Sequence, residues 1–198
     1  MVVREMAGPI GIPDLTALVG DRSVLEARLA LDVPPLLNQL DAGIVAAASA
    51  RVPRSSSVIA ESLGWPMDTI LRRLPGLLRR GALVSTRLDR FIRPAALIPT
   101  GRLYAIEAKV RDRGAAIHQA RTYGVWADGY VLVMGALSPR STQLLLQDVD
   151  ADRGGLMVDG RWLRRPAMGS LGPGRRLWAA EHVVAATRGV SYQPSVRP

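Results

Sequence analysis

The sequence contains no cysteine, which excludes disulfide bonds, thiolate nucleophiles and zinc–thiolate centres. It also lacks an apolar run near the roughly 20 residues needed to cross a bilayer, because Arg, Asp or Pro interrupts every candidate. The first residues lack the basic-then-apolar pattern of a secretory signal peptide. We therefore expect a cytoplasmic protein without a membrane partner.

Lysine is almost absent: Lys109 is the only one among 26 basic residues, and the others are Arg. The net charge of +9 favours a polyanionic partner. A GC-rich coding sequence produces such a bias wherever either cation serves. Lys109 is then either a chance survivor or a position where a guanidinium cannot replace a compact amine.

The middle of the chain has helical periodicity followed by a short hairpin pattern. The predicted helices are Leu36–Ala50, a helix from Ser56 or Ser57 to Leu63, and Thr69–Arg80 with Gly81 as its C-terminal glycine; the predicted hairpin strands are Ala82–Thr86 and Arg90–Pro94. Pro75 removes a helical hydrogen bond and is predicted to kink the third helix.

This order of elements is that of a winged-helix domain, and residues 33–96 resemble that family over the phrase SVIAESLGWPMDTILRRLPGLLRRGALV. The resemblance implies DNA binding, with Thr69 near the start of the recognition helix. The arginine clusters suit phosphate contact, although each could simply solvate a surface. The DNA-binding candidates are Ser56, Thr69, Arg72, Arg73, Arg79, Arg80, Arg87, Arg90 and Arg93. A kink at Pro75 leaves open a second role, in which this module binds protein.

The flanking sequence, residues 1–32 and 97–198, has an α/β pattern and is predicted to form one discontinuous core around the inserted domain 33–96. The predicted strands are Val2–Met6, Ile12–Val19, Leu103–Val110 and Tyr130–Met134, with weaker candidates at Gln143–Val149 and Gly155–Val158. The predicted helices are Ser23–Leu31, Gly114–Tyr123 and Glu181–Thr187.

One strand of this core combines apolar and charged residues. Alternate residues of a strand share a face, so Glu107 and Lys109 project together, while Ile106, Ala108 and Val110 are expected to face an apolar layer. An ion pair on a partly exposed strand would also explain the pattern. Asp14 stands at the start of another apolar strand, where a carboxylate is destabilising unless it is paired or binds a cation.

Pro13-Asp14 and Glu107-Ala108-Lys109 together resemble the motif of the PD-(D/E)XK, or restriction-endonuclease-like, phosphodiesterases. Gln119 and Tyr123, four residues apart on a predicted helix, resemble the Gln-x-x-x-Tyr motif frequent in that superfamily. The resemblance implies an α/β fold: a restriction-endonuclease-like mixed sheet with flanking helices, here with the winged helix inserted.

The resemblance implies a role for each residue. Asp14, Glu107 and the Ala108 carbonyl would bind Mg²⁺ or Mn²⁺, because hydrolysis of a phosphodiester needs a hard cation and Mg²⁺ prefers a few carboxylates plus water. Lys109 would hold the attacking water and offset charge in the transition state. Gln119 would orient water or phosphate. Tyr123 would support the site, and Glu5 either assists metal binding or is a surface residue.

The sequence departs from the family pattern in two ways. Only 13 residues precede Asp14, so the usual first helix is missing, or the start is misassigned, or a homodimer or another partner supplies the helix. Asp14 and Glu107 are also 93 positions apart, which an insertion between the two motif strands explains. Elsewhere, His118 and His182 suit packing or surface roles rather than metal binding. The four Trp residues suit core or cap positions better than base stacking.

These patterns predict a metal-dependent DNA endonuclease that hydrolyses phosphodiester bonds. The alternative is a non-catalytic winged-helix transcriptional regulator built on a nuclease-like scaffold.

Overall fold

The computed structural model describes residues 1–110, 112–167, 169 and 171–190. Residues 191–198, which the sequence assigns to the α/β core, lie outside these ranges. The described residues form eight strands and seven helices, which in chain order are β1 (Val2–Arg4), β2 (Leu15–Val19), α1 (Arg22–Ala30), α2 (Gln39–Ala47), α3 (Ser56–Leu63), α4 (Met67–Arg79), β3 (Val84–Arg87), β4 (Arg90–Ile92), β5 (Arg102–Lys109), α5 (Arg113–Tyr123), β6 (Gly129–Met134), α6 (Pro139–Ala151), β7 (Gly155–Val158), β8 (Arg161–Arg164) and α7 (Pro173–Thr187). No helix among the described residues has the length and apolar character needed to span a membrane.

The chain divides into two compact units. The first comprises Met1–Gly20, Gly101–Leu171 and the described residues from Ala185 onward; the second comprises Asp21–Thr100 and Gly172–Val184. The chain thus leaves the first unit after β2 and re-enters it before β5, so that the sequence between Asp14 and Glu107 is mostly that of the second unit.

The first unit is built on a six-stranded mixed sheet with the order β1-β2-β5-β6-β7-β8. Strands β5, β6 and β7 are parallel, whereas the other neighbouring pairs are antiparallel. Helices α5 and α6 cover one face through an apolar cluster that includes Ala120, Leu132, Leu145 and Leu156. The predicted mixed α/β architecture is confirmed at this level.

The prediction of a strand over Gln143–Val149 is wrong, because this segment belongs to helix α6. The Ser138 side chain caps the helix by accepting a hydrogen bond from the Ser141 N–H, and Pro139 occupies the first turn, where its missing N–H is not needed. Leu145 and Val149, four residues apart, are both buried. The predicted closing helix also begins earlier than Glu181, at Pro173.

The second unit contains α1, most of α7, and the three consecutive helices α2, α3 and α4, which the β3–β4 hairpin follows. Helix α4 continues through Pro75 to Arg79, and Gly81 follows with φ of +71°. The Arg28 guanidinium of α1 forms an ion pair with Glu181 of α7, 2.7 Å from Nη2 to Oε2, and both side chains are almost fully buried. This buried pair fixes α7 against α1 within the unit.

Candidate active site

Strand pairing brings the two predicted carboxylates together. Strand β2 runs antiparallel to β5, with Leu15 opposite Ile106. Asp14 directly precedes β2, and its Oδ2 accepts a hydrogen bond of 2.7 Å from the Ala108 N–H. A half-buried carboxylate therefore lies against the backbone of the strand that carries Glu107 and Lys109.

The loop that leads to Asp14 is held by the end of α5. The Trp126 indole donates a hydrogen bond of 3.0 Å to the Ile10 carbonyl. Gly11 has φ of +76°, and a Cβ on it would lie 3.0 Å from the Tyr123 ring, so this turn requires glycine. The fully buried Trp126 thereby helps to set where β2 begins.

Glu107 is a buried carboxylate with two side-chain partners. It is only 2% exposed, and its Oε1 lies 2.8 Å from the Lys109 Nζ. The Tyr123 hydroxyl donates a hydrogen bond of 2.8 Å to Oε2. A buried charge is tolerated when it is paired and hydrogen-bonded in this way. Tyr123 of the predicted Gln-x-x-x-Tyr motif thus contacts the site directly.

Glu107 and Lys109 share a face of β5, as the alternation predicts, but the prediction of which face is buried is wrong. Leu103, Ala105 and Glu107 are the buried residues of this strand, whereas Ala108 is exposed and Val110 is 75% exposed. Helix α5 covers the Glu107 side, as the Tyr123 hydrogen bond shows. The carboxylate therefore lies in the packed layer between sheet and helix, with the Lys109 side chain 31% exposed at its margin.

The surroundings keep both partners of Glu107 protonated at neutral pH. The hydrogen bond to Glu107 raises the pKa of Lys109, and the charges of Glu107, Asp14 and Asp112 add to this effect against a smaller opposing effect of burial. Burial and the hydrogen bond to Glu107 raise the pKa of Tyr123 well above its ordinary value of 10.0. Lys109 is therefore suited to act as a positively charged hydrogen-bond donor, and not as a general base.

Asp112 is a residue near this site that the sequence interpretation missed. It is the N-cap of α5, and its Oδ1 accepts a hydrogen bond of 2.9 Å from the Ala115 N–H. Its negative charge contributes to the raised pKa of Lys109. An Asp directly between a predicted strand and a predicted helix is a recognisable N-cap signal, which could have identified it.

The other predicted residues of the core have fewer contacts with the two carboxylates of the candidate site. Among the described residues, no hydrogen bond joins the Gln119 side chain to the carboxylates; its main-chain carbonyl accepts one from the Thr122 hydroxyl. Glu5 has φ of +45° and an exposed side chain, and its N–H donates to the Asp14 carbonyl at 3.0 Å. His118 is exposed, and the buried His182 lies edge-on to Trp178.

In the second unit, several candidates for DNA binding have intramolecular partners. Arg73 and Arg80 both bind the buried Asp41 carboxylate, each at 2.7 Å. The Arg93 Nε donates a hydrogen bond of 2.9 Å to the Ala48 carbonyl, and Ser56 is only 4% exposed. These residues hold the unit together whether or not they also face a ligand.

The remaining candidates lie at the surface. Arg79, Arg87 and Arg90 are exposed, and the exposed Arg72 donates a hydrogen bond to the Thr69 hydroxyl at 3.3 Å. A cavity of about 400 Å³ lies along α4 and is lined by Arg72, Arg73, Pro75, Gly76, Arg79 and Arg80. Of the arginines that line this cavity, Arg72 and Arg79 are exposed and suited to phosphate, whereas Arg73 and Arg80 bind Asp41.

No family model, curated protein or solved structure matches the chain. The assignment of a function therefore depends on the chemistry of the side chains that the fold brings together.

The donor set at the core fits a hard divalent cation held mainly by water and substrate. Asp14 and Glu107 supply carboxylate oxygens, while no group of three or more His, Asp or Glu residues forms within the described part of the chain. Mg²⁺ is typically bound by one or two carboxylates and keeps several waters, so two carboxylates suffice. The arrangement does not fit a closed cage formed by protein alone.

Proposed function

We propose that the protein is a metal-dependent DNA endonuclease of the PD-(D/E)XK type whose second unit is a DNA-binding winged helix. One observation supports this most strongly. The only lysine of an arginine-rich chain contacts a carboxylate that is 2% exposed, and a second carboxylate lies on the neighbouring backbone. Packing alone does not require three ionisable groups at the edge of an apolar layer.

Each residue has a distinct role in this proposal. Asp14 and Glu107, with the Ala108 carbonyl, would hold Mg²⁺ or Mn²⁺, which when bound polarises the phosphate and acidifies water. Lys109 donates a hydrogen bond to the attacking water or to a phosphate oxygen, and its positive charge stabilises the transition state. Tyr123 orients Glu107, and Gln119 reaches toward the phosphate once substrate is present.

The second unit supports the DNA-binding half of the proposal. Within it, helices α2 to α4 and the hairpin occur in the order of a winged helix, with α4 as the recognition helix and β3–β4 as the wing. The exposed Arg72 and Arg79 of α4, and Arg87 and Arg90 of the hairpin, would contact phosphates. Because DNA is the substrate, we also propose that the protein acts in the cytoplasm.

Cleavage of supercoiled plasmid tests the proposal. Wild-type protein with Mg²⁺ or Mn²⁺ should nick or linearise the plasmid, and EDTA should stop the reaction. Lys109→Ala should abolish cleavage, whereas the matched control Arg140→Ala, an exposed cation of the same unit, should cleave as wild type. Intact plasmid with every metal would contradict the proposal.

A second candidate function is a non-catalytic winged-helix regulator. It is favoured by one observation: both Glu107 oxygens already have partners, Lys109 and Tyr123. A site of this kind could be a stable ion-pair network with no metal. Tight DNA binding in gel shifts without cleavage, together with a lower melting temperature of Lys109→Ala, would favour this alternative.

A further inference from the structure

Trp162 is an exposed aromatic residue on an edge strand, in contrast to the prediction that the tryptophans occupy core or cap positions. Trp126 and Trp178 are buried, but Trp162 is 43% exposed, and the neighbouring Leu163 is 44% exposed. Strand β8 is the last strand of the six-stranded sheet. A large exposed aromatic side chain on a sheet edge is unfavourable in water and promotes association, so its presence points to a ligand.

A tight turn closes the hairpin that carries Trp162. Strands β7 and β8 are joined by the two residues Asp159 and Gly160, whose φ values are +47° and +72°. Positive φ at both residues is typical of the tight type I′ turn, which matches the twist of the flanking strands. The other end of β8 is fixed by an ion pair between Arg164 and Asp150 of α6. Trp162 therefore lies between a tight turn and an ion pair.

One arginine side chain lies against this ring, and two more arginines are close to it in sequence. The Arg165 Cζ lies 5.6 Å from the centre of the Trp162 ring, a cation–π geometry. Arg161 and Arg165 are exposed, while Arg164 is paired with Asp150 and the only acid of the turn is Asp159. A base can stack on the open part of the ring while guanidinium groups contact the phosphates on either side.

The hairpin also lies at the same end of the sheet as the candidate active site. Val158 of β7 is opposite Met134 of β6, and Met134 is opposite Lys109 of β5. Directly after β7, the Asp159 N–H donates a further hydrogen bond of 3.0 Å to the Met134 carbonyl. From β5 to β8 there are three strand spacings, roughly 14 Å. Trp162 is opposite Met157, the neighbour of Val158, so its ring projects from the sheet face opposite to that of Lys109.

We infer that the β7–β8 hairpin is a second nucleic-acid site, in which Trp162 stacks on an unpaired base and Arg161 and Arg165 bind the adjoining phosphates. The ligand is a single-stranded segment of DNA. The choice of DNA rests on the proposed function, whereas the stacking surface itself rests on the exposure, the tight turn and the charges of the hairpin.

Binding of a fluorescein-labelled oligothymidylate of about 12 nucleotides, measured by anisotropy in EDTA so that nothing is cleaved, tests the inference. Trp162→Ala should weaken binding by roughly 5- to 150-fold, the range expected for loss of one stacked base. Trp162→Phe should restore part of the affinity. Leu163→Ala, an equally exposed neighbour without a ring, should bind as wild type.

Two further probes separate stacking from charge. An abasic chain with the same number of phosphates should bind wild type and Trp162→Ala equally, because it has no base to stack. Replacing both Arg161 and Arg165 with Ala should reduce the salt dependence of oligothymidylate binding by about 0.7 per lost phosphate contact. Circular dichroism and the melting temperature of each variant confirm that it is folded.

Equal binding of oligothymidylate by wild type and folded Trp162→Ala would overturn the inference, as would a Trp162-dependent dimer in sedimentation that accounts for the exposed edge. If either result is found while the wild type still cleaves plasmid, only the stacking site fails and the nuclease proposal stands. If plasmid stays intact but oligothymidylate binding depends on Trp162, the nuclease proposal fails and the site stands.

Discussion

At the scale of single residues, the chemistry of the candidate site depends on how Glu107 is held. Its carboxylate is buried, and the Lys109 ammonium and the Tyr123 hydroxyl each lie 2.8 Å from one of its oxygens. Residues that orient a metal-binding carboxylate act on metal affinity and rate together. In the proposed function, Tyr123 is such a positioning residue for Glu107.

We predict that Tyr123→Phe lowers metal-dependent cleavage by about 10- to 100-fold and raises the Mg²⁺ concentration needed for half-maximal rate, because Glu107 loses one hydrogen bond. Plasmid cleavage titrated with Mg²⁺ measures both effects. His118→Ala, an exposed change on the same helix, serves as control. A reduced rate at unchanged Mg²⁺ dependence would show that Tyr123 does not act through the metal-binding carboxylate.

Residue type and motif spacing led to the prediction that Asp14, Glu107, Lys109 and Tyr123 lie together, and the structure places them in contact with one another or with the same strand. The buried side of β5 was not predictable from the strand itself, since α5 could have packed on either face. Asp112 was missed because it belongs to no motif, although it caps α5 and influences Lys109.

At the scale of elements, Asp41 connects two helices of the second unit. It lies on α2, is 1% exposed, and receives Arg73 from α4 and Arg80 from the residue that follows it. Burial opposes ionisation of Asp41, but the hydrogen bonds and charges of the two arginines outweigh it and hold the pKa below the ordinary value of 3.8.

We predict that Asp41→Asn destabilises the second unit by roughly 2 kcal/mol, less than the 3–5 kcal/mol typical of breaking a wholly buried pair, because both arginines can turn toward water. The pKa of Asp41 is lowered by folding, so its contribution to stability is complete above about pH 4 and disappears as the pH falls through the lower folded value. Urea unfolding at pH 7 and at pH 3 measures this. An equal loss for the variant at both pH values would contradict the ion-pair explanation.

Helix α6 shows where prediction from the sequence pattern failed. The segment Gln143–Val149 contains three consecutive leucines, and such a short apolar run does not distinguish a buried strand from a helix. The signals at Ser138 and Pro139, outside the run, determine that α6 is a helix. Helices α3 and α4, whose caps and periodicity agree, begin and end within a few residues of their predicted bounds.

At the scale of the whole molecule, only part of the positive charge is paired with carboxylates of the protein itself. Some of the arginines, such as Arg28, Arg73 and Arg80, are engaged by carboxylates, whereas exposed ones such as Arg72 and Arg79 are available to a polyanion. The net charge of +9 alone predicts attraction to nucleic acid but not where it binds.

We predict that duplex affinity falls steeply with salt, and that replacing Arg72 and Arg79 together with Ala reduces the slope of log K against log salt by about 2. Anisotropy titrations at several salt concentrations measure the slope. Arg73→Ala should lower the melting temperature and leave the slope nearly unchanged, because this guanidinium is already bound to Asp41. The opposite pattern would mean that Arg73 faces the DNA.

The mixed α/β sheet agrees with the fold class that the sequence predicts for the whole molecule. The strand order was not predictable, since the pairing of β5 with β2, distant in the sequence, depends on long-range packing that no local pattern records.

The most direct test of the central claim is the rate of metal-dependent plasmid cleavage by Lys109→Arg. This substitution keeps the positive charge in a chain whose other 25 basic residues are already Arg. If the compact amine is needed for chemistry, the folded variant should bind duplex as wild type but cleave at least about 100-fold more slowly, the effect of losing one donor to the transition state. Cleavage by Lys109→Arg at the wild-type rate would contradict the account.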